Sequence, residues 1–243
     1  MQIPYWLSRT ELLLTAETTQ QLMHNNVLVV GLGGVGGICA EMLVRAGVSN
    51  LTIADADTID LSNCNRQIPA LHSTAGMLKT EVMKARLLDI NPALKLTIVN
   101  QFINATNVTE LLSAQYYNYA VDCIDTLSPK AAFIAACLAH QLPVVSSLGA
   151  GGKLNPALVT VADISQTKQC NLARYVRKKL QAMGIKTGVI CVYSPELIDN
   201  SRVIVSEKAY PKKSLVGTIS YMPAIFGCYA ASVVIQSLLA KKN

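Results

Sequence analysis

The chain of 243 residues has no C-x-x-C pair among its seven cysteines, and their number is odd. That disfavours both a cysteine-rich zinc site and a disulfide framework. The lysine loop of the P-loop ATPases, G-x-x-x-x-G-K-[ST], is also missing, so any nucleotide must be held by other means. Charged residues make up only 15% of the chain against 51% hydrophobic ones, and no repeat or low-complexity tract interrupts it. A composition this apolar builds a buried core and excludes a disordered chain. The opening MQIPYWLSRTELLL lacks a charged leader, a long apolar stretch and a small-residue cleavage site, so the cytoplasm is the expected compartment.

One long uncharged stretch, residues 214–240, raises the question of a membrane span. Pro223, Gly217, Gly227, Gln236 and several small hydroxyl residues argue instead for a helix buried in the core or at a subunit interface.

What is present is an alternation of short β-rich runs with helical stretches. Strands are predicted at 27–30, 51–54, 96–99, 120–124 and 144–147, with a helix at 38–46 after the first. Over 74–90, apolar residues at 78, 82, 83, 87 and 90 share one helical face, and Asn91-Pro92 stops the helix. Ser128-Pro129 opens another, with serine as cap and proline at the first helical position. This order predicts an α/β fold, a Rossmann-like, doubly wound, mainly parallel sheet. Beyond Gly152, strands at 159–162 and 189–192 flank a basic helix near 172–183, and the apolar segment closes the chain. A single domain over 1–243 is expected, with a helical arm over 1–24 and a strand and helix extension over 152–243.

The run Gly31-Leu-Gly33-Gly34-Val-Gly36 follows a strand and opens a helix, and Asp55 falls at the end of the next strand, placed to accept bonds from ribose hydroxyls. Spacing alone fits an ATP-using enzyme, a nicotinamide-binding oxidoreductase, or a binding module without turnover. The loop at 57–72 is too long and polar to be a mere connection. Arg66 is its one cation, and Lys79 follows on the next helix. Taken singly, Arg66 reads equally as a solvated arginine, Lys79 as a helix surface residue, Asn63 as a turn residue and Asp125 as a cap. Arg9 could pair with Glu11 or Glu17. Their joint order carries the signal.

That order, in GLGGVGG, IADADTIDLSN, the NRQ at 65–67, Lys79 and the DCID at 122–125, resembles the ThiF, MoeB and ubiquitin-activating-enzyme superfamily of carboxylate adenylators. SRTELLL, KTEVMKARLLDINP, SPKAAFIAAC, SLGAGGKLNP and GTISYMPAIFG look like its branch that dehydrates threonylcarbamoyladenosine in bacterial tRNA. The resemblance implies ATP and Mg²⁺ as cofactors. It implies that Gly31, Gly33, Gly34, Gly36 and Asp55 hold the adenosine and ribose, that Asn63, Arg66 and Lys79 hold the triphosphate, and that Asp125 holds the metal. Arg9 then reaches across from the partner subunit of a homodimer, and the catalytic set is Arg9, Arg66, Lys79 and Asp125.

The acceptor so implied is tRNA bearing threonylcarbamoyladenosine, with the C-terminal carboxylate of a ubiquitin-like sulfur carrier as the alternative. Relatives that use such carriers usually have two C-x-x-C zinc pairs, absent here. A sulfur-transfer partner protein and a membrane contact stay open. Residues 164–195 hold six cations and no acid, and Lys168, Arg174, Arg177, Lys178 and Lys179 read as a tRNA phosphate footprint or as a solvated helix face. Cys170 and Cys191 are expected to be structural. Thr15, Gly37 and Pro69 depart from the pattern, standing where glycine, serine and histidine are common.

Overall fold

The computed structural model describes residues 2–199, 201, 203–205 and 214–240. An arm of two helices, α1 (Ser8–Leu14) and α2 (Ala16–His24), leads into β1 (Asn26–Val30), α3 (Gly36–Ala46) and β2 (Asn50–Ala54). A long loop precedes α4 (Lys79–Ile90), β3 (Lys95–Val99), α5 (Val108–Ser113), β4 (Tyr119–Asp122), α6 (Leu127–Ala139) and β5 (Val144–Ser147). Then come β6 (Thr160–Asp163), α7 (Asn171–Ala182), β7 (Ile190–Tyr193), the short β8 (Val203–Val205) and β9 (Ser214–Val216), and α8 (Tyr221–Ala240).

Seven strands form one sheet in the order β3-β2-β1-β4-β5-β7-β6, while β8 and β9 form a separate antiparallel ribbon. All pairs in the large sheet are parallel except β6 with β7. The fold is therefore the expected Rossmann-like α/β sheet, its last strand reversed. Connections leave β1 and β4 in opposite directions, which opens a crevice at their carboxyl ends. Burial on both faces explains why β1 reads as an unbroken apolar run. Val27 and Val29 join the core cluster shared with α3 and α8, whereas Leu28 and Val30 join the cluster beneath α5 and α6.

α8 is long and apolar enough to cross a bilayer. Here Met222, Phe226, Ala230 and Val234 lie in the core. Gly227 lets α8 press against α3, since a Cβ there would stand 2.5 Å from the Val35 carbonyl oxygen.

Several boundaries shift by a residue or two from the sequence reading, and three differ for a tertiary reason. The helix expected from residue 74 starts at Lys79, because Leu78 is extended and bridges Thr58, while the Lys79 N–H donates to the Asp57 carbonyl at 3.1 Å. The helix after β4 starts at Leu127 with Thr126 as cap. Pro129 is its third residue, where the N–H would lack a helical acceptor in any case. β4 stops at Asp122, because that side chain accepts the Ile124 N–H at 3.1 Å and turns the chain out of the sheet.

Thr15 joins the arm helices at φ +73° and ψ 159°, a region kept almost entirely for glycine. A β-branched residue there costs about 1–3 kcal/mol, and its hydroxyl returns a 3.5 Å bond from the Thr18 N–H and an exposed 3.1 Å bond to the Thr18 hydroxyl. Glycine loses only a few tenths of a kcal/mol as a cap. Thr15→Gly is therefore expected to stabilise the protein by about 1 kcal/mol, a rise of about 2–4 °C in Tm by calorimetry.

Candidate nucleotide-binding site

The crevice is built around a backbone contact. Gly31 leaves β1 at φ +92°, and a Cβ there would lie 2.7 Å from the Cys123 carbonyl oxygen at the end of β4. Gly36, at the start of α3, folds back so closely that its Cβ would overlap the Gly31 carbonyl oxygen, at 1.7 Å. Only glycine fits at both, and the first turn of α3 is thereby aimed at the space above β1. Gly33 and Gly34 lie between them, partly exposed.

Asp55 follows β2 and faces this turn. Its Oδ2 accepts the Leu32 N–H at 2.6 Å and its Oδ1 the Asp57 N–H at 2.8 Å, which leaves further lone pairs on both oxygens. Burial raises its pKa from the usual carboxylate value, opposed by nearby Lys79 and by the two backbone donors. Lys79, its side chain 6% exposed, donates from Nζ to Asp57 Oδ2 at 2.7 Å, and Asp57 is itself 67% exposed. The ammonium is thus held at the mouth of the crevice by a carboxylate that water also reaches.

The loop after β2 crosses the glycine turn. Asp60 and Asn63 cap each other, with Asn63 Oδ1 accepting the Asp60 N–H at 3.3 Å. Arg66 donates from Nη1 to the Ser62 carbonyl at 2.9 Å and to Asn65 Oδ1 at 2.7 Å. Its own carbonyl oxygen would stand 3.1 Å from a Cβ on Gly34, which places this segment over the turn. Asp125 is exposed three residues beyond β4. Arg9 lies exposed on α1 and, among the described residues, has no hydrogen bond or ion pair with the crevice.

Two features escaped the sequence reading. The first is an ion pair between Asp122 Oδ2 and Lys130 Nζ at 2.8 Å, with both side chains 0% exposed. Lys130 also donates to the Ile124 carbonyl at 2.8 Å, and the Ser146 hydroxyl donates to Asp122 Oδ2 at 2.6 Å. Burial pushes the Asp122 carboxyl up in pKa, against the pull of the ammonium and the other donors. The available signal was that Lys130 is the only charge in the apolar α6. The second feature is a pair of buried polar atoms without partners among the described residues, Gln67 Oε1 and Thr126 Oγ1. Gln67 Nε2 lies 3.8 Å from a Cβ position on Gly33, and Thr126 follows Asp125, so both flank the crevice. Such orphans mark places where a ligand or water completes the bonding.

The cations of the basic helix divide. Lys168, Arg174 and Lys178 are exposed, and Arg174 lies over the Tyr175 ring at 4.9 Å. Arg177 turns inward, and its Nη1 donates to the Ile164 and Thr167 carbonyls at 3.1 and 3.0 Å and to Thr167 Oγ1 at 2.6 Å. Lys179 donates to Ser128 Oγ at 2.6 Å, which ties α7 to the start of α6. Cys170 and Cys191 are buried, and burial drives the Cys191 thiol well above its ordinary pKa. No cluster of three or more metal-ligating side chains occurs among the described residues. One carboxylate beside a triphosphate site is the donor set Mg²⁺ uses, with phosphate oxygens and water filling the rest.

The model of the ThiF family matches residues 7–243. The chain belongs to the ThiF family. It is 36% identical over 233 residues to the tRNA threonylcarbamoyladenosine dehydratase of Escherichia coli, covering 89% of this chain and 87% of that protein. The protein of the same name from Bacillus subtilis is 34% identical over 247 residues, covering 96% of this chain and 94% of its own length. The crystal structure of the E. coli enzyme in complex with ATP superposes with a TM-score of 0.86 at 34% identity, covering 97% of this chain and 94% of that one. Within the ThiF family, then, the likeness extends through the arm, the basic helix and α8 as well as the glycine turn.

Removing one partner of a buried ion pair strands the other and costs about 3–5 kcal/mol. Lys130→Met is expected to lower unfolding free energy in urea by that amount. Adding Asp122→Asn, which removes the stranded charge, is expected to recover more than half of the loss.

Proposed function

We propose that the chain is an ATP-dependent dehydratase of threonylcarbamoyladenosine in tRNA, adenylating the threonyl carboxylate so that the carbamoyl group of the same nucleotide closes a ring onto it. One observation carries this reading. A chain similar over most of its length to proteins of that name has glycines, carboxylates and cations around the β1 and β4 crevice, which are the residue types that adenylation needs.

The chemistry explains the inventory. A carboxylate is a poor electrophile, since its charge repels nucleophiles and oxide is a poor leaving group. Transfer of AMP replaces the oxide with a good leaving group. The attack brings an anion to the α-phosphorus, so the site must neutralise triphosphate charge. In this proposal Gly31, Gly33, Gly34, Gly36 and Asp55 seat the adenosine and ribose, and Asn63, Arg66 and Lys79 take the triphosphate. Lys79 then exchanges Asp57 for phosphate oxygens. Asp125 would hold Mg²⁺, which would supply positive charge to offset that of the triphosphate. Ring closure needs little further help, because the nucleophile is already tethered beside its target.

Residues 1–243 act in this reading as one adenylating domain, with the arm at 1–24 and the extension at 152–243 completing it. The exposed position of Arg9 supports a homodimer in which it serves the partner's crevice. Lys168, Arg174 and Lys178 are exposed and suit tRNA phosphates, whereas Arg177 and Lys179 hold α7 in place. The compartment is then the cytoplasm, where the tRNA is.

Asp125→Ala is expected to reduce tRNA-dependent AMP formation about 100-fold or more, the usual loss when a charge-stabilising group is removed. Arg9→Ala is expected to fall with it. Mixing the two inactive variants under subunit exchange restores activity in part, because one crevice per mixed dimer regains both groups, and no recovery would remove the role of Arg9 in the partner's site. AMP formed only with a ubiquitin-like carrier protein, and never with modified tRNA, would overturn the acceptor.

A further inference from the structure

The carboxyl edge of the sheet has more loops than a nucleotide requires. The turns after β1, β2 and β4 form the cradle, which leaves, besides the loop after β3 at the far side, the loops after β5 and β7 and the segment leading into α8. These last three are bound together by a reciprocal clamp. Lys153, 1% exposed, donates from Nζ to the carbonyls of Ser194 at 2.6 Å and Glu196 at 3.1 Å. In return, the Glu196 carboxylate accepts the Leu154 N–H at 2.9 and 3.0 Å and the Asn155 N–H at 2.8 Å. Each side chain thus holds the other loop's backbone. The Gly152 N–H donates to the Gly217 carbonyl at 2.7 Å and the Tyr221 hydroxyl to the Leu154 carbonyl at 2.9 Å, which fixes the third segment to the first.

This rim adjoins the nucleotide cradle. Asn65, beside Arg66, donates from Nδ2 to the Thr218 carbonyl at 2.9 Å, and a Cβ on Gly34 would meet Pro223 Cβ at 2.8 Å. It also adjoins the basic helix, since a Cβ on Gly149 would lie 3.7 Å from Leu172 Cβ and 3.9 Å from Cys170 Sγ at the start of α7. Within the rim is a cavity of about 260 Å³ lined by Gly152, Lys153, Leu154, Gly217, Thr218 and Ile219. Pockets for whole drug-sized ligands start at about 300 Å³, so this one suits a single side-chain-sized group. An ammonium has three N–H donors, of which the two carbonyls take two, so Lys153 keeps a third for an acceptor such as a carboxylate; burial lowers its pKa, and the neighbouring Glu196 carboxylate opposes that shift.

We propose that this rim is the acceptor subsite: its cavity receives the amino-acid arm of the modified adenosine, and the Lys153 and Glu196 clamp is a positioning device that holds the arm's carboxylate toward the adjoining cradle. The inference rests on the function proposed above. Glu196 acts through the loop it caps, so its removal misplaces the acceptor and leaves the nucleotide alone.

The test compares Glu196→Ala, and the milder Tyr221→Phe, with the wild-type full chain. ATP affinity is read by calorimetry, folding by urea, and acceptor use by AMP formation with modified tRNA and with the free nucleoside threonylcarbamoyladenosine. Glu196→Ala is expected to keep its ATP Kd within about twofold while KM for both acceptors rises about tenfold or more, a misplacement effect. Tyr221→Phe follows in the same direction with a smaller rise. Replacing Arg174 and Lys178 with alanine raises KM for tRNA but not for the nucleoside. Unchanged acceptor KM in a folded Glu196→Ala protein, or ATP affinity lost in parallel, would overturn the subsite. A wild-type chain inert toward both adenosine acceptors but active on a carrier-protein tail would remove the functional reading instead. KM for that tail in Glu196→Ala would then still report whether the rim receives the acceptor.

Discussion

The wholly buried pairing of Asp122 with Lys130 fixes the end of β4, and the crevice follows from it. Both Asp122 oxygens are engaged, by Lys130, Ser146 and the Ile124 N–H, so the chain leaves the sheet in one direction only. That direction sets the Cys123 carbonyl against Gly31 and places Asp125 just beyond. An ion pair in this position adds little net stability over apolar residues of the same size. Its consequence is geometric: together with the partly buried Cys123 and Ile124 side chains it orders the turn that follows β4.

The rest of the cradle follows the same rule of holding a charge in advance. Arg66 is fixed by the Ser62 carbonyl and Asn65, and Lys79 by Asp57. In the proposed function, cations held near the crevice need little reorganisation when negative charge develops, Lys79 changing only its partner. In a chain with so few charges, the cations Arg66, Lys79, Lys130 and Lys153 at this edge are bonded to backbone carbonyls or to a single carboxylate. Lys153 repeats the arrangement one loop further along.

The sheet was legible in the sequence because strands buried on both faces read as short apolar runs, as in β1. The glycine turn was legible because close backbone approach allows no other residue type at Gly31 and Gly36. The start of α4 was not, since Leu78 is kept out of the helix by a bridge to Thr58, twenty residues away. Lys130 reads as a surface cation until Asp122 is seen beside it. Arg177 and Lys178 are neighbours of like charge, and only the fold shows that the first turns in to the Thr167 loop while the second faces water. Residue type carried the fold and the cradle, and long-range bonds decided which of several equivalent charges do the holding.

Oxygen tracing tests the adenylation most directly. If the threonyl carboxylate of the modified tRNA attacks the α-phosphorus of ATP, and ring closure then expels AMP, one carboxylate oxygen leaves on the phosphate. With ¹⁸O in that carboxylate, the AMP released in a single turnover carries one ¹⁸O atom. AMP free of label, with both ¹⁸O atoms still in the nucleoside, would contradict it.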